Sequence, residues 1–404
     1  MILSTQIRRF RRSFRSLKCP SNLLNKVFLL CGHAPAENHT PVVGIILMRL
    51  VRAGSLLLSS LLIIVFLAFP LASSQLAERQ PIDQALAWFR NSPRDLAQHD
   101  FVMTVRLRLL FFWVGKDDVG GGYIRRGVSA QDPHMEFIEV LFGSDPAKAP
   151  RAINRWGAGT EISWHKDPVT VDDPRNDVTS SAFFGFMKSS RGKSVSEMKS
   201  ELEREKAQGL HEFNGIVTRV DSSRALSLVV PLESTTDYTL HDYPRAEPVM
   251  LQNLADSARP VRSMDDPSRC NRSAEFLATI AELLDTGLQQ HSAPVSRCYI
   301  HNAQEYVLTL QEIEPVESLG VRVRGPNNAV LVDTTYKKLV RLDFVSTHKP
   351  TGRKSEFAIC TAAEGPLRGV PVQITYQPNW WFQVVLNLLP KTNAAQPGGS
   401  AHSD

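Results

Sequence analysis

VPVQITYQPNWWFQVVLNLL, residues 370–389, decides the fold. Val370, Val372, Ile374 and Tyr376 alternate with Pro371, Gln373 and Thr375; after Gln377-Pro378-Asn379, Trp380, Phe382, Val384, Leu386 and Leu388 recur at every second position. A period of two sends successive side chains to opposite faces, so both runs read as β-strands with one apolar face. Working outward, Tyr306–Glu312, Val321–Arg324, Ala329–Thr335, Lys338–Thr347 and Ser355–Thr361 read the same way. Turn signals stand at Pro326-Asn327-Asn328 and Lys349-Pro350-Thr351-Gly352. No helical period separates these strands, so the connections are hairpins and the sheet is antiparallel. A slip of one residue would expose the whole apolar set, which specifies the register.

Upstream, Ser273 caps a helix reaching Leu288, with Phe276, Ile280, Leu284 and Leu288 as its core-facing stripe. That helix and the strands after it form a C-terminal unit, residues 269–390. Residues 235–268, rich in Pro, Asp and other polar residues, read as a linker or long loop. Residues 75–234 read as an N-terminal α+β domain. It opens with a short helix, Pro81–Phe89, followed by a strand, Phe101–Val114, that turns at Gly115–Asp118 and returns through Gly120–Gly122 to Arg126. Strands follow at Met135–Phe142 and Thr160–His165, with a short helix capped at Ser144-Asp145-Pro146 between them. Residues 167–209 read as a helical insertion: an apolar helix over Thr179–Lys188, then one opened by the capping box Ser194-Val195-Ser196-Glu197 and closed by Gly209. Glu212–Val220 and Ala225–Leu232 form a hairpin around Asp221-Ser222-Ser223. The fold class is therefore α+β and β-rich: twisted antiparallel sheet with a few packed helices. Residues 391–404 are a loose polar tail.

The compartment is read from Ala53–Ala72, AGSLLLSSLLIIVFLAFPLA, which carries no charge. Met48–Arg52 supplies a basic flank and Ala72-Ser73-Ser74 a small-residue exit before Gln75, so residues 48–74 have the parts of a signal peptide. Cleavage gives a periplasmic or secreted protein. Retention gives a single-pass anchor facing outside, since twenty apolar residues can span a bilayer. Residues 1–47 form a basic leader; positions 1–18 resemble a mitochondrial transit peptide, and Met48 is the simpler start. Nine Lys/Arg and one acid lie in positions 1–52, so the chain beyond carries −3 of a total of +5. The basic balance belongs to the leader and does not describe a nucleic-acid surface. Cys270 and Cys298 bracket the predicted helix and are positioned for a disulfide in an oxidising compartment, leaving Cys360 as a thiol.

Familiar catalytic patterns are missing. Arg191-Gly192-Lys193-Ser194 ends like a P-loop, but Met187 stands where the first glycine belongs. The chain contains no CxxC, HExxH or GxSxG, and no pattern calls for a metal or cofactor. Asp117-Asp118, Asp172-Asp173 and His241-Asp242 are loop residues from which a hydrolytic site could be assembled. The sharper signal is aromatic. Trp380 and Trp381 are neighbours on one strand and must face opposite ways, while Phe112 and Trp113 do the same on the first strand. A strand apolar on both sides is covered on both sides or lines a cavity. Phe112, Trp113, Trp380, Trp381 and Phe382 are thus the candidate ligand-binding residues, and the partner is a lipid, another hydrophobic small molecule or an envelope protein. The leading reading is a non-enzymatic exported binding protein. The rivals are an extracytoplasmic hydrolase and a structural interaction domain that pairs through a sheet edge.

Gly365-Pro-Leu-Arg-Gly-Val-Pro-Val-Gln-Ile-Thr-Tyr-Gln-Pro-Asn-Trp-Trp-Phe382, with Phe142-Gly-Ser-Asp-Pro146 and Ile153-Asn-Arg-Trp-Gly157, resembles segments of uncharacterised bacterial exported β-rich proteins. A helix laid across a twisted antiparallel sheet is also similar to periplasmic lipoprotein-carrier and sigma-regulator sheets. That likeness implies a fold and carries no site residues.

Overall fold

Two antiparallel meanders, joined where the first strand pairs with the last, organise the chain in the computed structural model, which describes residues 77–91, 96–109, 112–169, 178–188, 203, 209–265, 270, 274–290, 293–325, 327 and 329–390. The strands are β1 Ala97–Leu109, β2 Phe112–Val128, β3 Met135–Ser144, β4 Trp156–His165, β5 Val178–Lys188, β6 His211–Val220, β7 Arg224–Ser234, β8 Arg262–Asp265, β9 Val295–His301, β10 Gln304–Arg324, β11 Val330–His348, β12 Lys354–Ala362, β13 Pro371–Asn379 and β14 Phe382–Leu388. Three helices fully within the described residues accompany them: α1 over residues 77–91, α2 Tyr243–Asp256 and α3 Phe276–Gln290. All fourteen strands belong to one sheet, in the order β8 down to β1, then β14 down to β9. The first strand pairs with the last, from Phe101 opposite Leu388 to Leu107 opposite Phe382, so the two predicted units share a continuous hydrogen-bonded ladder.

Register divides the sheet into two faces. Leu342, Ile359, Ile374, Leu386 and Met103 lie opposite one another in successive pairs, and α3 covers the face that this row begins. The other face of β3–β7 packs on α1 and α2, with Ile82, Leu86 and Phe89 meeting Phe137, Phe184 and Phe213. Beyond their neighbours, β10 and β11 continue as a two-stranded arm. Its Val321, Val323 and Val332 cover Val102 of β1, and the Arg324 amide donates to Asp117 at 3.2 Å. Pro315 is tolerated within β10 because β9 pairs only as far as Leu310, which leaves an edge where a missing N–H costs no ladder bond.

Several local expectations change. Thr179–Lys188, read as a helix in a helical insertion, lies in β5 between β4 and β6; its apolar residues fill a central strand buried on both faces, where alternation fades. The segment 190–202, which holds the predicted capping box, lies outside the described residues. Residues 235–268 are not mainly linker, since they hold α2 and β8. The first hairpin turns between Leu109 and Phe112, not at Gly115–Asp118, so Trp113 belongs to the return strand opposite Arg108. Gly120–Gly122 sit within β2; at Gly122 (φ +155°) an added Cβ would fall 1.7 Å from the Leu141 carbonyl oxygen, so the sheet closes around bare backbone. The helix expected after Ser144 is only a 3-10 turn, Pro150–Ala152. The helix at Pro81–Phe89, the Asp221–Ser223 hairpin and both turn signals of the C-terminal strands stand as read.

Cys270, just past β8, is bonded to Cys298 of β9, so the disulfide joins the two ends of the sheet. Val220, Ala225 and Ile300 pack around it, and Ser227 of β7 meets Asn302 at 3.1 Å. With a separation of 28 residues, the chain-entropy model assigns the bridge about 3–4 kcal/mol. Cys298→Ser, or reduction of the wild type, should lower the unfolding free energy by about that amount, read from urea midpoints with and without thiol. An unchanged midpoint would show that the bridge constrains nothing.

Candidate functional site

Helix α3 has two unlike sides. Leu283, Leu284 and Leu288 enter a core with Leu308, Leu310, Leu342 and Phe344 of the C-terminal strands. At Gly287 the helix lies so close to β11 that an added Cβ would come within 2.4 Å of Leu342 Cδ2. The side turned to β1 and β2 carries Ala278, Ala281 and Asp285. Alanine cannot fill the space that a helix axis leaves above a sheet, and Ala97 and Gly127 opposite add nothing. A cleft of about 520 Å³ remains, lined also by Ile124 and Val128, with His99, His165, Arg368 and the charged residues Arg126, Glu136, Glu282 and Asp285 as polar members. Protein interiors are normally close-packed, so a mostly apolar opening of this size is a candidate binding site.

Charged pairs hold the cleft's frame. Glu161 of β4, fully buried, receives the amides of Glu275 at 3.0 Å, Leu277 at 2.7 Å and Ala278 at 3.1 Å. It thus caps the N-terminus of α3 from a distant strand; Ser273, the cap read from the sequence, lies outside the described residues. Arg126 of β2 bridges Glu136 of β3 at 2.7 Å and Asp285 of α3 at 3.3 Å, and Arg297 of β9 donates to Glu282 at 2.6 Å. Burial raises the Glu136 carboxyl, but the hydrogen bond from His165 and the Arg126 charge outweigh it and hold it below its usual range. Glu161 goes the other way: burial, then the Glu275 carboxylate, push it to about 8 despite the three amides. Burial raises Glu275 too, although His301 Nδ1 lies 3.1 Å from its carboxylate.

The sequence-predicted aromatic residues lie elsewhere. Leu107 of β1 stands opposite both Val114 of β2 and Phe382 of β14. The Arg108 amide donates to the Trp381 carbonyl at 2.8 Å, and the Trp381 and Phe382 rings are 5.9 Å apart. Phe112, Trp113, Trp380, Trp381 and Phe382 are therefore gathered at two adjacent hairpin tips, the β1–β2 turn and the β13–β14 turn. Eight residues separate Leu107 from His99 on β1, so the tips are roughly 25 Å from the cleft at ~3.3 Å per residue. The cleft residues were missed because small side chains on a helix and a strand carry no periodic signal. The residues suggested for hydrolysis partly converge. His241 Nε2 lies 3.2 Å from Asp145, and Lys148 pairs with Asp118 at 2.9 Å on the rim of a second cleft. Asp117 instead accepts from Thr104 at 3.0 Å, and Asp172 lies outside the described residues. Ser144 beside this cluster is engaged, donating to the Ile153 carbonyl at 2.7 Å. Among the described residues no group of three His, Cys, Asp or Glu side chains is placed to hold a metal ion.

No family model matches the chain, and neither the curated proteins nor the solved structures contain a match. Function has to be read from the geometry.

Glu161 sets a pH dependence. Its folded pKa lies above its unfolded value, so the folded state binds the extra proton, and the stability this contributes is complete below about pH 4.5 and lost as pH rises through about 8. The wild-type unfolding free energy, read from urea titrations, should fall between pH 5 and pH 9, by on the order of 1 kcal/mol per pH unit at most. Glu161→Gln should flatten that slope; equal slopes in the two proteins would contradict the assignment.

Proposed function

We propose that this is an exported, non-enzymatic binding protein that holds a hydrophobic small molecule in the cleft between α3 and strands β1–β2. One observation carries the reading: an opening of about 520 Å³ under a helix that turns Ala274, Ala278 and Ala281 toward it, held in place by the buried Glu161 carboxyl and the partly exposed Arg126–Asp285 pair. Small residues on both walls with charged struts around them keep a space open where leucines would close it. A mixed lining, with Arg368 and His99 at its polar side, suits an amphiphile whose apolar portion lies along Ala278 and Ala281. The export segment and the Cys270–Cys298 bridge support an oxidising, extracytoplasmic setting. Among the described residues no helix is long and apolar enough to cross a membrane; Ala53–Ala72 lies outside them.

The sheet-edge reading is weakened by the disulfide, which ties the two ends of the sheet to each other. A hydrolytic reading is favoured by the His241–Asp145 pair beside the Lys148–Asp118 pair. It calls for turnover of an ester or amide that His241→Ala abolishes, whereas the binding reading expects no turnover by the wild type.

The direct test is a native mass spectrum of the full chain, followed by titration of the delipidated protein with a fluorescent fatty acid. The wild type should carry or take up one apolar ligand, and Ala281→Trp, which fills the cleft, should weaken uptake at least about tenfold. A bare polypeptide mass together with no uptake, or uptake unchanged in Ala281→Trp, would overturn the proposal.

A further inference from the structure

Six large apolar side chains at the two hairpin tips face solvent: Leu107, Phe112, Trp113, Val114, Trp380 and Trp381. Trp380 is 67% exposed and Phe112 57%. The same strands are buried a few residues further in, where Phe101 and Met103 pack with Val372, Leu386 and Leu388, and Val102 lies under the β10–β11 arm. Coverage therefore stops at a level in β1, and the chain becomes more aromatic past that level. A soluble surface loses by such a concentration unless something covers it.

The charge pattern says what covers it. From Val105 to Lys116 and from Tyr376 to Val384 the sequence has three cations, Arg106, Arg108 and Lys116, and no acid. Lys116 is occupied by the Lys148 carbonyl at 2.7 Å. Arg106 and Arg108 are exposed and, among the described residues, neither forms an ion pair. Register places Arg108 opposite Trp113, so guanidinium and indole share one face, while Leu107, Val114 and Phe382 share the other. An apolar end, tryptophans behind it and unpaired arginines on the same level reproduce the layering of a bilayer surface: acyl chains, then the interfacial zone, then phosphate. A second copy of this chain would set the arginines of one tip against those of its partner, with no carboxylate between them.

We infer that the twin hairpin tips dock the protein onto an anionic lipid surface, with Phe112, Trp380 and Trp381 entering the interface and Arg106 and Arg108 meeting headgroup phosphates. This site is separate from the α3 cleft and stands whether or not that cleft holds a ligand.

The test uses the full chain with vesicles of phosphatidylcholine and phosphatidylglycerol whose acyl chains are brominated near the headgroup, reading tryptophan quenching. The remaining tryptophans, Trp88, Trp156 and Trp164, lie in the core beside α1 and α2, so quenching reports the tips even if residues 53–72 also enter the bilayer. Wild-type emission should be quenched, and Trp113→Phe/Trp380→Phe/Trp381→Phe should abolish that quenching while leaving the tips apolar. Arg106→Gln/Arg108→Gln, a change to exposed side chains only, should raise the lipid concentration at half-quenching by roughly fivefold for each charge removed. Quenching that survives removal of the three tip tryptophans, or a half-quenching concentration unchanged in the arginine variant, would overturn the proposal. So would a concentration-dependent dimer in sedimentation that Phe112→Ser dissolves.

Discussion

The structure depends on one buried carboxyl group meeting the free end of a helix. Three amides at the start of α3 point at Glu161, which sits on the fourth strand more than a hundred residues earlier in the chain. Unpaired amides cannot be buried without cost, and a buried carboxyl cannot stand alone, so each makes the other tolerable. Once that end is placed, Arg126 and Arg297 fix Asp285 and Glu282, and Gly287 lets the far end settle on Leu342. The raised carboxyl pKa follows from the same geometry: burial and a neighbouring Glu275 outweigh the three donors.

Height follows from docking. A helix held by polar struts on one side and leucines on the other does not sink evenly onto the sheet, and its alanine side is left standing over β1 and β2. The cleft is thus a by-product of where the attachment points lie. The long arm of β10 and β11 does the opposite on the reverse face, closing over Val102 until its own turn is reached. What lies beyond both covers is the aromatic end of the first hairpin and its neighbour. Cleft and tips share strand β1, with one near each end, so a continuous ladder connects the proposed ligand cleft with the proposed lipid-docking tips.

Much of the architecture was legible because period two survives wherever one face meets core and the other meets water. The strands from Tyr306 onward, the stripe of α3 and the hairpin at Asp221 all show it. Thr179–Lys188 misled because a strand covered on both faces loses its alternation: Phe183 and Met187 interleave with Ala182, Phe184 and Phe186, and the resulting apolar run resembles a helix. The first hairpin misled for a related reason. Residues 107–114 seemed apolar on two faces of one strand, whereas they are two strands meeting at a turn. The aromatic residues singled out from the sequence do come together, through the pairing of the first and last strands.

By itself the sequence determined the antiparallel β-rich class and the main helix with its buried stripe, and it offered Cys270 and Cys298 as a candidate pair, because each is a local pattern or a short loop. Only the tertiary structure decided that fourteen strands form one sheet, that Glu161 caps α3, and that alanines face small residues across a gap. Those facts depend on contacts between residues far apart in sequence, and such contacts leave no periodicity to read. A cleft is made of what is missing from facing walls, so it exists only once the walls have been set against each other.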